Sequence, residues 1–112
     1  MYKTVNSVEE FNEIKESNKA SLFYISTPEC NVCKILKPKI SDLFGNEFPK
    51  ITLYYVDSAQ TPEISAQLTV FAVPTIIIFI DGQEFIRESR NISIAQLANS
   101  VKRPYSMFFE DN

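Results

Sequence analysis

The chain has 112 residues, of which 45% are apolar and 22% charged, and it carries a formal net charge of −3. That is one domain of ordinary globular composition, and the acidic balance with no basic stripe argues against a binder of phosphate backbones. The absence of histidine excludes Ser-His-Asp and Cys-His catalysis and histidine metal sites, and only two glycines, Gly45 and Gly82, leave no glycine-rich phosphate loop.

The N-terminus, Met1-Tyr2-Lys3-Thr4, lacks the apolar stretch of a secretory leader, so the expected location is cytoplasmic. A short first strand is expected near Thr4-Val5. Ser7 with Glu10 three residues on forms a capping box that opens a helix turning Val8, Phe11 and Ile14 inward. Leu22 to Ile25 is a continuous apolar run of strand length, as in a central strand buried on both faces, and Thr27-Pro28 ends it. The next helix is expected from Cys30 to about Phe44. Val32, Ile35, Leu36, Ile40, Leu43 and Phe44 sit at helical spacing, Pro38 should kink it, and Gly45 should cap it. Lys34, Lys37 and Lys39 on this helix, with Asp42 nearby, read as a solvated face.

Ile51 to Val56 is the following strand. Thr61-Pro62-Glu63 supplies an N-cap, a first-turn proline and an acid for a short helix through Leu68. Thr75 to Ile80 is a buried strand and the longest apolar run, far short of the roughly 20 residues that cross a bilayer. Asp81-Gly82 signals a tight hairpin, with Glu84 to Arg90 returning. Ser93 with Gln96 caps a last helix carrying Ile94, Leu97, Ala98 and Val101, expected to stop before Pro104. The series predicts an α/β domain over residues 1–112, a central mixed sheet of four to five strands with helices on both faces, and a C-terminal tail at 104–112.

Cys30 and Cys33 are the only cysteines. One helical turn apart, their Cα atoms fall roughly 5 to 6 Å from each other, within reach of a disulfide. Cys30 should lie where a buried strand gives way to a helix, and the free N–H groups and partial positive charge there favour a thiolate. Cys33, a turn deeper, would resolve a mixed disulfide. Taken alone, the spacing also fits two inert buried cysteines, or half of a four-cysteine metal site completed by a second chain.

With these elements in place the chain resembles the thioredoxin family over nearly its whole length. The matching residues are Cys30-Asn31-Val32-Cys33-Lys34, Pro38, Asp57, Val73-Pro74-Thr75 and Asp81-Gly82. The resemblance implies the thioredoxin fold, a cis Pro74 facing the cysteines, and Val73 pairing through its backbone with a substrate peptide, with Thr75 beside it. It further implies protein or small-thiol disulfides as substrates, and thioredoxin reductase or a low-molecular-weight thiol as electron donor. No bound cofactor, no metal, no nucleic-acid or membrane partner and a monomeric chain are expected.

The chain also departs from the family. It has no tryptophan, and Glu29 precedes Cys30, placing a negative charge beside the proposed thiolate that Lys34 partly offsets. Asn31 and Val32 replace the usual Gly-Pro. Tyr24 stands where the family carries a buried aspartate, Leu53 where that aspartate has a lysine partner, and Arg90 where a glycine lines the substrate groove. The expected function is therefore thiol–disulfide exchange through Cys30 and Cys33, weaker or more specialised than that of a housekeeping thioredoxin. Two alternatives stay open: a non-enzymatic interaction module using the groove beside Pro74, and an oxidase or isomerase acting outside the cytoplasm.

Overall fold

The computed structural model describes residues 2–110. In chain order it has β1 (Lys3–Thr4), α1 (Val8–Ser17), β2 (Ala20–Ser26), α2 (Asn31–Glu47), β3 (Thr52–Asp57), α3 (Pro62–Leu68), β4 (Thr75–Ile80), β5 (Gln83–Ser89) and α4 (Ile94–Tyr105), followed by a π-helical turn, Ser106–Glu110. Every residue of β2 is buried. This is the signature of a strand covered on both faces, and β2 holds the middle of a five-stranded sheet of order β1-β3-β2-β4-β5. β1, β3 and β2 run parallel to one another, and β4 runs antiparallel to both of its neighbours, β2 and β5.

Alternation along β2 sends Leu22 and Tyr24 to one face and Phe23 and Ile25 to the other. The first face packs with Leu36, Ile40 and Phe44 of α2 and Leu97 and Val101 of α4. The second packs with Phe11 of α1 and Ile64 and Leu68 of α3. The α/β layering expected from the sequence is thus present. Ser7 caps α1 by accepting from the Glu10 N–H at 3.0 Å, and the Glu10 carboxylate accepts from the Asn6 N–H at 2.7 Å. Asp81 and Gly82 both have positive φ, 56° and 82°, as the tight hairpin between β4 and β5 requires.

Four local expectations are corrected. α2 does not stop at Gly45 but runs on to Glu47, because Phe44 and Phe48 pack across the last turn at a ring separation of 5.3 Å. Val32 and Ile35 are not inward: they are 61% and 64% exposed, since the buried stripe of α2 is Cys33, Leu36, Ile40 and Phe44. Thr61 occupies the N-cap of α3 without capping it, its hydroxyl donating instead to the Asp57 carbonyl at 2.9 Å. Pro104 lies inside α4 rather than beyond it. The helix continues because Tyr105 is buried and its hydroxyl accepts from the Lys50 N–H at 3.1 Å. The expected tail is therefore docked as far as Phe109, which packs against the core, while its last residues, Asp111 and Asn112, lie outside the described residues.

Candidate functional site

The loop Thr27–Glu29 carries the chain from the C-terminal end of β2 to the start of α2, folded by a Cys30 N–H to Thr27 carbonyl bond of 3.2 Å. Cys30 is the N-cap of α2, and its sulfur accepts from the Cys33 N–H at 3.2 Å. A cap normally supplies oxygen here; a sulfur takes that place, next to N–H groups that have no partner within the helix. No acidic residue lies in the first turn of α2. Cys30 and Cys33 are joined as a disulfide with Cα atoms 5.3 Å apart. Cys30 is half-buried and Cys33 only 2% exposed, so the two sulfurs differ in access.

Below Cys33 lies a layer of aromatic rings. Tyr24 is fully buried, and its hydroxyl donates to the Cys33 carbonyl at 2.8 Å, tying β2 to the first turn of α2. Its ring meets Tyr2 edge-on at 5.7 Å and stacks with its β3 register partner Tyr55 at 6.5 Å. Burial pushes the Tyr24 hydroxyl up to about 12, with Tyr55 adding to the rise. The Tyr2 hydroxyl, raised by burial as well, donates to the Lys37 carbonyl at 2.9 Å. Leu53 is buried in the same core. Beside the rings a cavity of about 120 Å³ is lined by Ser26, Thr27, Pro28, Cys33, Lys34, Lys37 and Tyr55. Lys37 is accordingly not part of a solvated face: it is half-buried, with Nζ 3.8 Å from the Tyr55 ring centroid, and desolvation lowers its pKa.

The loop before β4 brings in the second set of residues. The Val73–Pro74 peptide bond is cis and Pro74 is buried. Val73 is half-buried and packs against the core cluster that contains Cys33. Thr75, grouped with the binding residues on sequence grounds, is 1% exposed and spends its hydroxyl on the Ala72 carbonyl at 2.6 Å and on Ser89 at 3.0 Å. It shapes the loop from inside. Arg90 follows β5 with φ of 64°, and its N–H donates to the Pro74 carbonyl at 2.8 Å. Arg90 also lines an open groove of about 350 Å³ with Val32, Leu36, Asn91, Ile92 and Ser93. Arg90 thus bonds to the Pro74 carbonyl and borders a groove that Val32 of the CxxC turn also lines.

Of the other residues singled out from the sequence, Glu29, Asn31 and Lys34 are exposed around the cysteines, and Pro38 is exposed within α2. Sequence reasoning missed Tyr2, Ser26 and Tyr55, and assigned Lys37 to solvent. The signal for Lys37 was available: it is four residues after Cys33, hence on the same helical face. Tyr55 could be found only through the strand register.

A family model described as Thioredoxin matches residues 3–103. Among curated proteins, the chain is 37% identical over 102 residues to thioredoxin-like protein YdfQ of Bacillus subtilis, covering 91% of this chain and 88% of that protein. It is 30% identical over 102 residues to thioredoxin-1 of Schizosaccharomyces pombe, covering 91% and 97%. Among solved structures it superposes on a Fasciola hepatica thioredoxin with a TM-score of 0.80 at 25% identity, covering 92% of this chain and 98% of that one. Oxidised mitochondrial thioredoxin 3 of Saccharomyces cerevisiae gives a TM-score of 0.81 at 21% identity, covering 90% and 93%.

Proposed function

The chain belongs to the thioredoxin family, and on that premise we propose that Cys30 and Cys33 reduce or exchange disulfides of protein or small-thiol substrates in the cytoplasm, the chain acting as a monomer. Family membership and the cysteine pair support thiol–disulfide oxidoreductase chemistry in general. One observation carries the assignment of roles. Cys30 is the accessible sulfur at the N-terminus of α2, in contact with the Cys33 N–H, while Cys33 is all but sealed. The N–H and the helix end favour the Cys30 thiolate, which attacks.

In the proposed cycle the Cys30 thiolate displaces one sulfur of the substrate disulfide and forms a mixed disulfide. The Cys33 thiolate then attacks Cys30 Sγ, and the second substrate sulfur leaves with the electron pair. The substrate is reduced by two electrons, and the protein is left with the Cys30–Cys33 bond. Thioredoxin reductase or a low-molecular-weight thiol returns the two electrons. An extended substrate segment pairs with the backbone at Val73, beside Pro74, and Arg90 and Glu29 set the charge at the rim. Arg90 in the groove and Tyr24 in the floor favour a narrower partner range and slower general turnover than in a housekeeping thioredoxin.

Trapping with Cys33→Ser tests this, since the mixed disulfide at Cys30 then has no resolving sulfur. Covalent adducts that disappear with dithiothreitol and with Cys30→Ser are expected. Their absence, together with a Cys30 alkylation profile titrating near 8.5 instead of below about 7.5, overturns it in favour of a non-enzymatic binding module. The apolar and aromatic floor beneath Cys33, with Tyr24 and Leu53 in it, is the observation that favours that second reading.

A further inference from the structure

Lys37 takes no part in the exchange steps above, yet it is half-buried and lines the same cavity as Cys33. Cys33 and Lys37 are related as i and i+4 on α2, so their side chains leave the helix on one face. Both line the cavity of about 120 Å³ between α2 and the ends of β2 and β3. The Lys37 amine stands 3.8 Å from the Tyr55 ring centroid and 5.1 Å from that of Tyr2, two cation–π contacts that fix the end of a flexible side chain. The titratable groups around it are Tyr2 before β1, Tyr24 on β2, Tyr55 on β3 and Lys34 on α2 itself. Among the described residues no carboxylate lines the cavity. The Tyr24 hydroxyl is spent on the Cys33 carbonyl, and the Tyr55 hydroxyl accepts from Ser26 at 3.2 Å. Lys37 is therefore the half-buried charge held on the Cys33 side of the site.

We propose that Lys37 is a positioning residue for the resolving step, its tethered ammonium stabilising the Cys33 thiolate across the cavity. The proposal rests on the exchange chemistry above. Cys33 gives its proton to water, and the thiolate pair forms the bond to Cys30 Sγ as the mixed disulfide breaks. The departing substrate sulfur takes the electron pair and then a proton from water. Cys33 is oxidised and the substrate sulfur reduced. The cation acts only on the stability of the anion that begins this sequence, and desolvation of the amine is consistent with its place in the cavity.

The test titrates the Cys33 thiol by its thiolate ultraviolet absorbance in a Cys30→Ser background, with Lys37 retained or replaced. Lys37→Met is expected to raise the Cys33 pKa by about one unit, which is roughly tenfold less thiolate at neutral pH. Lys37→Arg is expected to stay near the parent value, and circular dichroism verifies that each variant is folded. In the Cys30-containing protein, the resolving rate of Lys37→Met, measured as release of the second thiol from an aromatic disulfide probe, should fall about three- to fourfold, because the more basic thiolate is also the stronger nucleophile. An unchanged titration in folded Lys37→Met overturns the proposal. So does an equal shift in Lys37→Arg, or a full shift reproduced by Lys34→Met. If the wild-type protein reduces no protein disulfide while the titration shifts as stated, the exchange reading fails and the Lys37–Cys33 coupling is supported.

Discussion

Tyr24 shows how one side chain sets both stability and its pH dependence. Its hydroxyl is a buried donor with a single partner, the Cys33 carbonyl. Tyr24→Phe removes that bond without opening a large void, and we expect a loss of about 1 kcal/mol in urea unfolding. The unfolded chain releases this proton near the ordinary value of 10.0, whereas the folded chain keeps it until about 12. Between those values the native state holds more protons, so stability is complete below pH 10 and falls as pH rises toward 12. Unfolding curves across that range should show the fall, and Tyr24→Phe should flatten part of it. A variant that loses stability with the same slope as the parent would show that another group governs the alkaline limb, with Tyr2, also raised by burial, the first candidate.

At the level of single elements, the two glycines carry opposite expectations. Gly45 sits inside α2, and a Cβ built there meets nothing within 4 Å. Gly45→Ala should therefore stabilise the protein by roughly 0.5–1 kcal/mol, through the helix propensity of alanine. Gly82 has φ of 82° in the β4–β5 turn, and Gly82→Ala should cost roughly 1–2 kcal/mol. Thermal melts of the two variants, read against the parent, check both signs. The same elements show where sequence reasoning stops. The existence and order of the helices and strands followed from periodicity, caps and turn residues, and the Cys30–Cys33 pairing distance from helical geometry. The end of α2 did not, because a glycine past an apolar stripe looks like a cap until Phe48 is known to pack on Phe44. Val32 and Ile35 looked inward because apolar residues at helical spacing do not reveal which of two overlapping stripes meets the sheet. The aromatic floor was hidden for another reason: Tyr2, Tyr24 and Tyr55 come from three separate segments and meet only through strand register.

Across the whole molecule, the C-terminal segment closes the core on the α4 side. Tyr105 is 4% exposed, its ring packs on Phe48 at 5.1 Å and on Phe109 at 4.8 Å, and its hydroxyl satisfies the Lys50 N–H. Tyr105→Ala should cost on the order of 3 kcal/mol, as truncation of a buried aromatic does, while removal of residues 106–112 should cost less because Tyr105 remains. Denaturant midpoints for the two variants would establish the order, and a larger loss on truncation than on Tyr105→Ala would place the weight on Phe109. The cysteines lie at the other end of α2 from Phe48, Cys30 at its N-cap and Cys33 in its first turn.

The sheet's outer strands have a further consequence for how the molecule behaves in a crowd of other chains. β1 is only two residues long, and β5 carries Glu84, Arg87 and Glu88 and is thrown out of register opposite Ile78 and Phe79. Short, charged or irregular margins are poor templates for edge-to-edge association. If extended segments pair beside Pro74 as proposed, such margins protect the protein against accumulating them along its flanks.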